Sequence, residues 1–162
     1  FFLSQNIDTM FSSVKGFFIQ TGLEHESNGM AAEESRSTNY LYIHPILILY
    51  NEKSRNGLAV GPKIWAYVDN DDETNRDLKD YRGYFDLACK LGQEGGLVIS
   101  SDFLWARKGG SIQLDATHPL SRFFFNTLDL YLNIQYFNGF AESLTAYDVH
   151  KEAFRIGLAV IR

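Results

Sequence analysis

Hydrophobic and polar residues alternate with a period of two along most of this chain. The pattern is clearest in segment 123–138. Leu128, Leu130, Leu132, Ile134 and Tyr136 lie on one face there, and Thr127, Asp129, Tyr131, Asn133 and Gln135 lie on the other. This is the period of a β-strand, whose successive side chains point to opposite faces. The alternation predicts eight strands, at 14–27, 39–50, 57–69, 78–92, 96–107, 110–120, 123–138 and 153–162.

The lengths of the predicted strands and loops favour one fold class. The strands exceed the ~5–6 residues usual in soluble sheets and reach the ~9–11 that cross a bilayer. Short turns such as "NEKSRN" and "GQEGG" alternate with long polar loops such as "NGMAAEESRST" and "DNDDETNRDLKD". Short turns at one end and long loops at the other are typical of outer-membrane barrels. The pattern therefore predicts an all-β, antiparallel, up-and-down transmembrane β-barrel.

A soluble barrel of the lipocalin type is the alternative, because alternation alone does not say which face points inward. In a membrane barrel the apolar face contacts lipid and the polar face lines the lumen. His44 would then be a hydrogen-bonded interior residue. We also expect a luminal network of paired charges from Glu24, Glu26, Lys63, Arg82, Asp86, Asp102 and Asp129.

Composition and charge exclude several other classes. The net charge of −5 gives no support for nucleic-acid binding, which needs a basic face. The single cysteine, Cys89, excludes an internal disulfide framework. The acidic loop 69–80 lacks the glycine and terminal glutamate of an EF-hand, so we expect a solvated loop there. The chain shows no signal-peptide pattern and does not begin with Met, so we expect a mature form or an excised fragment.

Candidate chemistry lies where the first predicted strand ends. His25 and Ser27 share the apolar face of that strand with Leu23, and histidine is the usual base that activates a serine. Asn39 opens the next strand on the same face, and neighbouring strands lie about 4.8 Å apart, so its amide can reach and orient the imidazole. The simpler alternative is a set of interfacial polar residues, because a His-x-Ser pattern alone is common.

The segments "HESNG", "SRSTN" and "GFAESL" resemble the outer-membrane phospholipase A family. The resemblance extends over nearly the whole chain. It implies a calcium-dependent, twelve-stranded barrel of the bacterial outer membrane that hydrolyses acyl esters of membrane phospholipids and is active as a homodimer. Because about eight strands are predicted here, we expect residues 1–162 to form a single barrel domain that lacks its N-terminal strands.

The resemblance also implies a role for each matching residue. Ser27 would be the nucleophile, His25 the general base and Asn39 the residue that orients the base. The backbone N–H of Gly29 would contribute to the oxyanion hole, which stabilises charge that develops in the transition state.

A calcium site is implied by the same resemblance. The carbonyl oxygen of Met30 and the side chain of Ser35 would be ligands, and the family's remaining protein ligand comes from the dimer partner. The family usually has arginine where Met30 stands, but a carbonyl ligand does not depend on the side chain. The alternative function is a non-catalytic outer-membrane barrel, either a porin or a lipid-binding protein.

Overall fold

The structure, a computed structural model, describes residues 13–30, 35–70, 73–120 and 130–160. In these ranges, eight strands form one antiparallel sheet in which each strand pairs with its neighbours in the sequence. The strands are β1 (Ser13–Ser27), β2 (Ser37–Asn51), β3 (Asn56–Asn70), β4 (Phe85–Gln93), β5 (Val98–Ala106), β6 (Gly109–Pro119), β7 (Tyr131–Gly139) and β8 (Lys151–Ala159). Within the described ranges, no helix is both long and apolar enough to cross a membrane.

The two faces of the sheet differ as the alternation predicts. On β2, Leu41 and Ile43 are about half exposed, whereas the intervening side chains face a more enclosed space and Tyr40 is buried. On β8, Phe154 and Ile156 are also largely exposed. Contiguous exposed apolar surface of this kind marks a contact with lipid or another apolar partner. The polar face is therefore the enclosed one, which favours the membrane barrel over the soluble alternative.

Ion pairs on the enclosed face confirm part of the predicted luminal network. Lys63 Nζ lies 2.7 Å from Glu24 Oε2. Arg82 donates to both oxygens of Glu26, at 2.5 and 3.1 Å. These pairs join β1 to β3 and to the segment before β4, and bidentate geometry makes the Arg82 pair the more specific of the two.

Other members of the predicted network behave differently. Asp86 and Asp102 form no ion pair with any described residue, and Asp129 lies outside the described ranges. The prediction of paired charges is therefore wrong for Asp86 and Asp102. His44 does face the interior, but its Nε2 is buried without a hydrogen-bond partner there and packs over Gly61.

The strands predicted at 78–92 and 123–138 correspond to shorter strands in the described structure. The strand predicted at 78–92 is divided into a short helix, α1 (Leu78–Arg82), and β4. The helix ends at Gly83, whose φ of 68° lies in the left-handed region that favours glycine. For the strand predicted at 123–138, residues 123–129 lie outside the described ranges and β7 begins at Tyr131.

The long loops pack together beyond the ends of β1–β3. We call the segments 73–84 and 140–150 the loop layer. Its apolar centre is Leu78, Leu144 and Tyr147, all at most 5% exposed. Arg36 Nη1 donates to the carbonyl oxygen of Thr74 at 2.7 Å and so attaches the loop between β1 and β2 to this layer.

Candidate active site

The predicted catalytic residues lie where β1 and β2 meet the long loops. The register of the two strands pairs His25 with Asn39 and Ser27 with Ser37. His25 and Ser27 are exposed on the same face as Leu23, which is 73% exposed. Strand alternation thus places a histidine and a serine on the apolar wall of the sheet and turns their acidic neighbours inward.

His25 and Asn39 are in direct contact. The ring Nδ1 of His25 lies 2.8 Å from Oδ1 of Asn39. Since a carbonyl oxygen only accepts hydrogen bonds, this contact places the imidazole proton on Nδ1 and leaves Nε2 as the basic nitrogen. The pair has the geometry required of a general base and the group that orients it.

Ser27 occupies the next position on this face. Residues two apart on a strand are separated by about 6.5–7 Å along it. No hydrogen bond joins the Ser27 hydroxyl to His25 in the described structure. Nucleophile and base often form their hydrogen bond only when substrate is bound, so the spacing is compatible with catalysis by this pair.

Asp69 is a neighbour of the site that the sequence did not indicate. Nδ2 of Asn39 donates to Oδ2 of Asp69 at 3.5 Å, a long hydrogen bond. Asp69 lies opposite Asn39 in the register of β2 and β3. Strand alternation predicts that its side chain faces the lumen with Tyr67, so the pattern alone gives no signal for this contact.

The turn after Ser27 is organised by Asn28. Its side-chain Oδ1 accepts from the backbone N–H groups of Met30 and Arg36, at 3.2 and 3.0 Å. Its own backbone N–H donates to the carbonyl oxygen of Arg36 at 3.1 Å. The family pattern includes this asparagine, but only the structure shows that it ties the two sides of the loop together.

Gly29 has a conformation that suits its predicted role. Its φ of 67° is left-handed, and among the described residues no atom lies within 4 Å of where its Cβ would be. Glycine therefore stands here because of its backbone conformation and not because of crowding.

The predicted calcium ligands lie on the two sides of the same loop. Met30 is half exposed and Ser35 is half-buried next to Arg36, while residues 31–34 lie outside the described ranges. The described residues contain no cluster of three or more His, Cys, Asp and Glu side chains that could hold a metal. The predicted donors are instead a carbonyl and a hydroxyl oxygen, which suit a hard cation such as Ca²⁺.

Carboxylates of the loop layer bind cations of the turn between β5 and β6. Asp77 accepts from Lys108 Nζ at 3.0 Å and from the Tyr147 hydroxyl at 2.8 Å, and these contacts lower the pKa of its carboxyl group. Arg107, and then Lys108, lowers the pKa of Asp80 in the same way. Burial and the neighbouring Asp77 raise the pKa of Tyr147 to about 12.

The sequence is similar to proteins described as phospholipase A1. A sequence model of the family described as Phospholipase A1 matches residues 1–160. Phospholipase A1 of Escherichia coli K12 is 30% identical over 147 residues, which cover 88% of this chain and 45% of that protein. Phospholipase A1 of Proteus vulgaris is 31% identical over 144 residues, which cover 86% of this chain and 44% of that protein. The chain thus spans a little less than half the length of these relatives.

Solved structures agree with the sequence relatives. Outer membrane phospholipase A from Escherichia coli matches with a TM-score of 0.72 and 26% identity, over 89% of this chain and 52% of that one. The outer membrane phospholipase of Salmonella typhi, a dimer with bound calcium, matches with a TM-score of 0.71 over 89% of this chain and 53% of that one. Its 23% identity supports the likeness of fold. With the family match extending over residues 1–160, this chain belongs to the phospholipase A1 family.

Proposed function

We propose that the protein carrying this sequence hydrolyses acyl ester bonds of glycerophospholipids in the bacterial outer membrane. Membership of the phospholipase A1 family supports this proposal, as do the relatives described as outer membrane phospholipase A. The observation that carries it is the 2.8 Å contact between His25 and Asn39 on the exposed apolar face. An oriented base beside a serine on this wall would meet lipid that diffuses laterally through the membrane.

The proposed reaction follows from the positions of the protons. As the Ser27 hydroxyl oxygen attacks the ester carbonyl carbon, its proton moves to Nε2 of His25. The negative charge that develops on the carbonyl oxygen is stabilised by the N–H of Gly29. His25 then gives the proton to the departing glycerol oxygen, which leaves as a lysophospholipid. A water molecule releases the fatty acid from Ser27 by the same two proton transfers.

In this reaction Asn39 would orient His25 but would not take part in proton transfer. A neutral amide holds the His25 ring in one tautomer and one orientation, but it does not balance the charge of the imidazolium ion that forms during the reaction. Asn39 therefore contributes orientation and leaves the charge to be balanced by other groups near the site.

We also propose that the loop between β1 and β2 binds Ca²⁺. The Met30 carbonyl oxygen and the Ser35 hydroxyl would hold the ion, since both are oxygen donors at the edges of a loop tied together by Asn28. Calcium bound there would supply positive charge near the developing oxyanion. Two protein ligands leave coordination sites for water and for a second copy of the chain. A homodimer with bound calcium, as in the Salmonella typhi relative, fits that requirement.

The experiment is the substitution Ser27→Ala in the natural protein, assayed on phospholipid in mixed micelles. We expect turnover to fall by at least about a thousandfold, because loss of the nucleophile leaves only binding and electrostatic effects. The matched control is Ser54→Ala, in the turn at the opposite end of β2 and β3, which should keep normal turnover. A Ser27→Ala protein that keeps more than about a tenth of its turnover would exclude this mechanism.

A further inference from the structure

We propose that Asp69 is a positioning residue that acts on His25 through Asn39. Its carboxylate would fix the orientation of the Asn39 amide and provide the negative charge that this amide lacks. The inference rests on the proposed function, because it concerns the same general base.

An irregularity in β3 brings Asp69 to the site. The register pairs Tyr40 with Tyr67 but pairs the preceding Asn39 with Asp69, so Val68 is an extra residue in β3. Such a β-bulge bends the strand and re-aims a side chain, and bulges are common next to active sites. Val68 is 63% exposed and Asp69 is exposed as well, so two consecutive residues lie on the outer side. The bulge thus moves Asp69 from the expected luminal position to the side of Asn39.

The two hydrogen bonds of the Asn39 side chain are compatible with only one orientation of its amide group. A carboxylate only accepts, so Asp69 requires the Nδ2 donor of Asn39 on its side. Oδ1 must then point to His25, where it accepts from Nδ1. Asp69 thereby selects one of the two amide orientations, and that orientation leaves Nε2 of His25 free to act as the base.

The charges around His25 make Asp69 the relevant anion. Within the described ranges, Asp69 forms no ion pair with a lysine or arginine. The acidic neighbours of His25 on β1, Glu24 and Glu26, face the lumen and are paired with Lys63 and Arg82. On the outer face β2 contributes the neutral Asn39, and β3 contributes Asp69. An anion two hydrogen bonds away favours the imidazolium ion that forms when His25 accepts the serine proton.

The test compares Asp69→Asn with Asp148→Asn, a control that makes the same change in charge at an exposed residue of the loop layer. For Asp69→Asn we expect kcat to fall by about tenfold or more, as for other residues that orient catalytic groups, with KM nearly unchanged. The acidic limb of the kcat/KM pH profile should move to lower pH, because removing an anion disfavours the imidazolium ion. A structural role alone would not move this limb.

A charge exchange provides the second test. Asn39→Asp alone places two carboxylates side by side and should reduce kcat strongly. The double variant Asn39→Asp with Asp69→Asn restores one carboxylate and one amide, so kcat should recover above that of either single variant. Recovery would support the inference even if Asp69→Asn alone were poorly folded.

The outcomes separate this inference from the proposed function. If Ser27→Ala abolishes turnover but Asp69→Asn behaves like Asp148→Asn and the double variant shows no recovery, the role of Asp69 is wrong and the proposed function stands. If Ser27→Ala keeps its turnover, the proposed function fails first. A fall in kcat at Asp69→Asn with an unmoved pH profile and no recovery would also overturn the inference.

Discussion

At the scale of single residues, the contacts at this site determine orientation more than they contribute to stability. A neutral hydrogen bond such as the one between His25 and Asn39 contributes a net ~0.5–1.5 kcal/mol to folding. The same bond selects a tautomer and a ring direction, without which Nε2 could not accept a proton from Ser27. Variants at Asn39 should therefore affect turnover much more than the free energy of unfolding.

Asn28 offers a prediction about the loop between β1 and β2, for which we propose calcium binding. Its side chain accepts from two backbone N–H groups on opposite sides of that loop, so Asn28→Ala should loosen the arrangement of Met30 and Ser35. We expect the calcium concentration for half-maximal activity to rise about tenfold, with kcat at saturating calcium largely retained. The measurement is a calcium titration of phospholipid turnover after removal of metal with a chelator.

Asn51→Ala is the matched control for this titration. Asn51 accepts from the N–H groups of Lys53 and Ser54, at 3.0 and 3.1 Å, in the turn at the other end of β2. The substitution Asn51→Ala therefore removes the same kind of contact as Asn28→Ala, but far from the predicted calcium ligands. Equal shifts in the calcium requirement for Asn28→Ala and Asn51→Ala would contradict a specific role for Asn28, and full activity without calcium would contradict the metal site itself.

The sequence predicted the pairing of His25 with Asn39 but not their neighbour Asp69. Alternation placed His25 and Asn39 on one face of adjacent strands, and the structure shows them in contact. Asp69 was expected only as part of a solvated acidic loop, and a period-two pattern contains no information about an extra residue such as Val68, which brings Asp69 to the side of Asn39. The catalytic roles of His25, Ser27, Asn39 and Gly29 and the calcium ligands remain predictions.

At the scale of elements, the strands were predictable because their signal is local and repeated. β1, β2 and β3 begin and end within two residues of the predicted bounds. Helix α1 was not predicted, because the sequence pattern extended the following strand back to Leu78. Leu78 is buried by Leu144 and Tyr147, which follow more than sixty residues later, so a distant contact decides its environment.

The ionic contacts of the loop layer give a prediction about pH. The pKa values of Asp77 and Asp80 are lowered in the folded state, so their contribution is present above their ordinary pKa of about 4 and is lost as the pH falls through the lowered values. The pKa of Tyr147 is raised to about 12, so its contribution is present below about pH 10 and is lost as the pH rises through 12. We measure this as the protection factor, the intrinsic exchange rate at each pH divided by the observed rate. We expect high protection factors in segments 73–84 and 140–150 near neutral pH and lower ones below about pH 4.

Lys108→Met tests the cause of this pH dependence. Lys108 contacts both Asp77 and Asp80, so its removal should make the lowering of both pKa values smaller. The pH at which the loop layer loses half of its protection from exchange should then move towards higher pH. Lys53→Met, in the exposed turn after β2, is the control. An acid midpoint that is the same in both variants would show that these ion pairs do not hold the loop layer.

At the scale of the whole molecule, the sheet separates an apolar outer face from a polar enclosed face. Alternation predicted two unlike faces but not which of them points inward. The ion pairs Glu24–Lys63 and Glu26–Arg82 identify the enclosed face, because unpaired charges there would be costly. His25, Ser27, Asn39 and Asp69 therefore form a polar group on the outer face, which is otherwise apolar through residues such as Leu23 and Leu41.

The proposed mechanism depends on the activation of Ser27 by His25 on this outer face. The most direct measurement is covalent labelling of the natural protein, in detergent micelles, with a sulfonyl fluoride, followed by mass spectrometric identification of the modified residue. An unactivated serine hardly reacts with such reagents, whereas an oriented histidine base makes the hydroxyl nucleophilic. We expect Ser27 to be modified, and we expect His25→Ala to slow its modification by at least about a hundredfold. An unmodified Ser27, or equal labelling in the His25→Ala protein, would contradict the proposed mechanism.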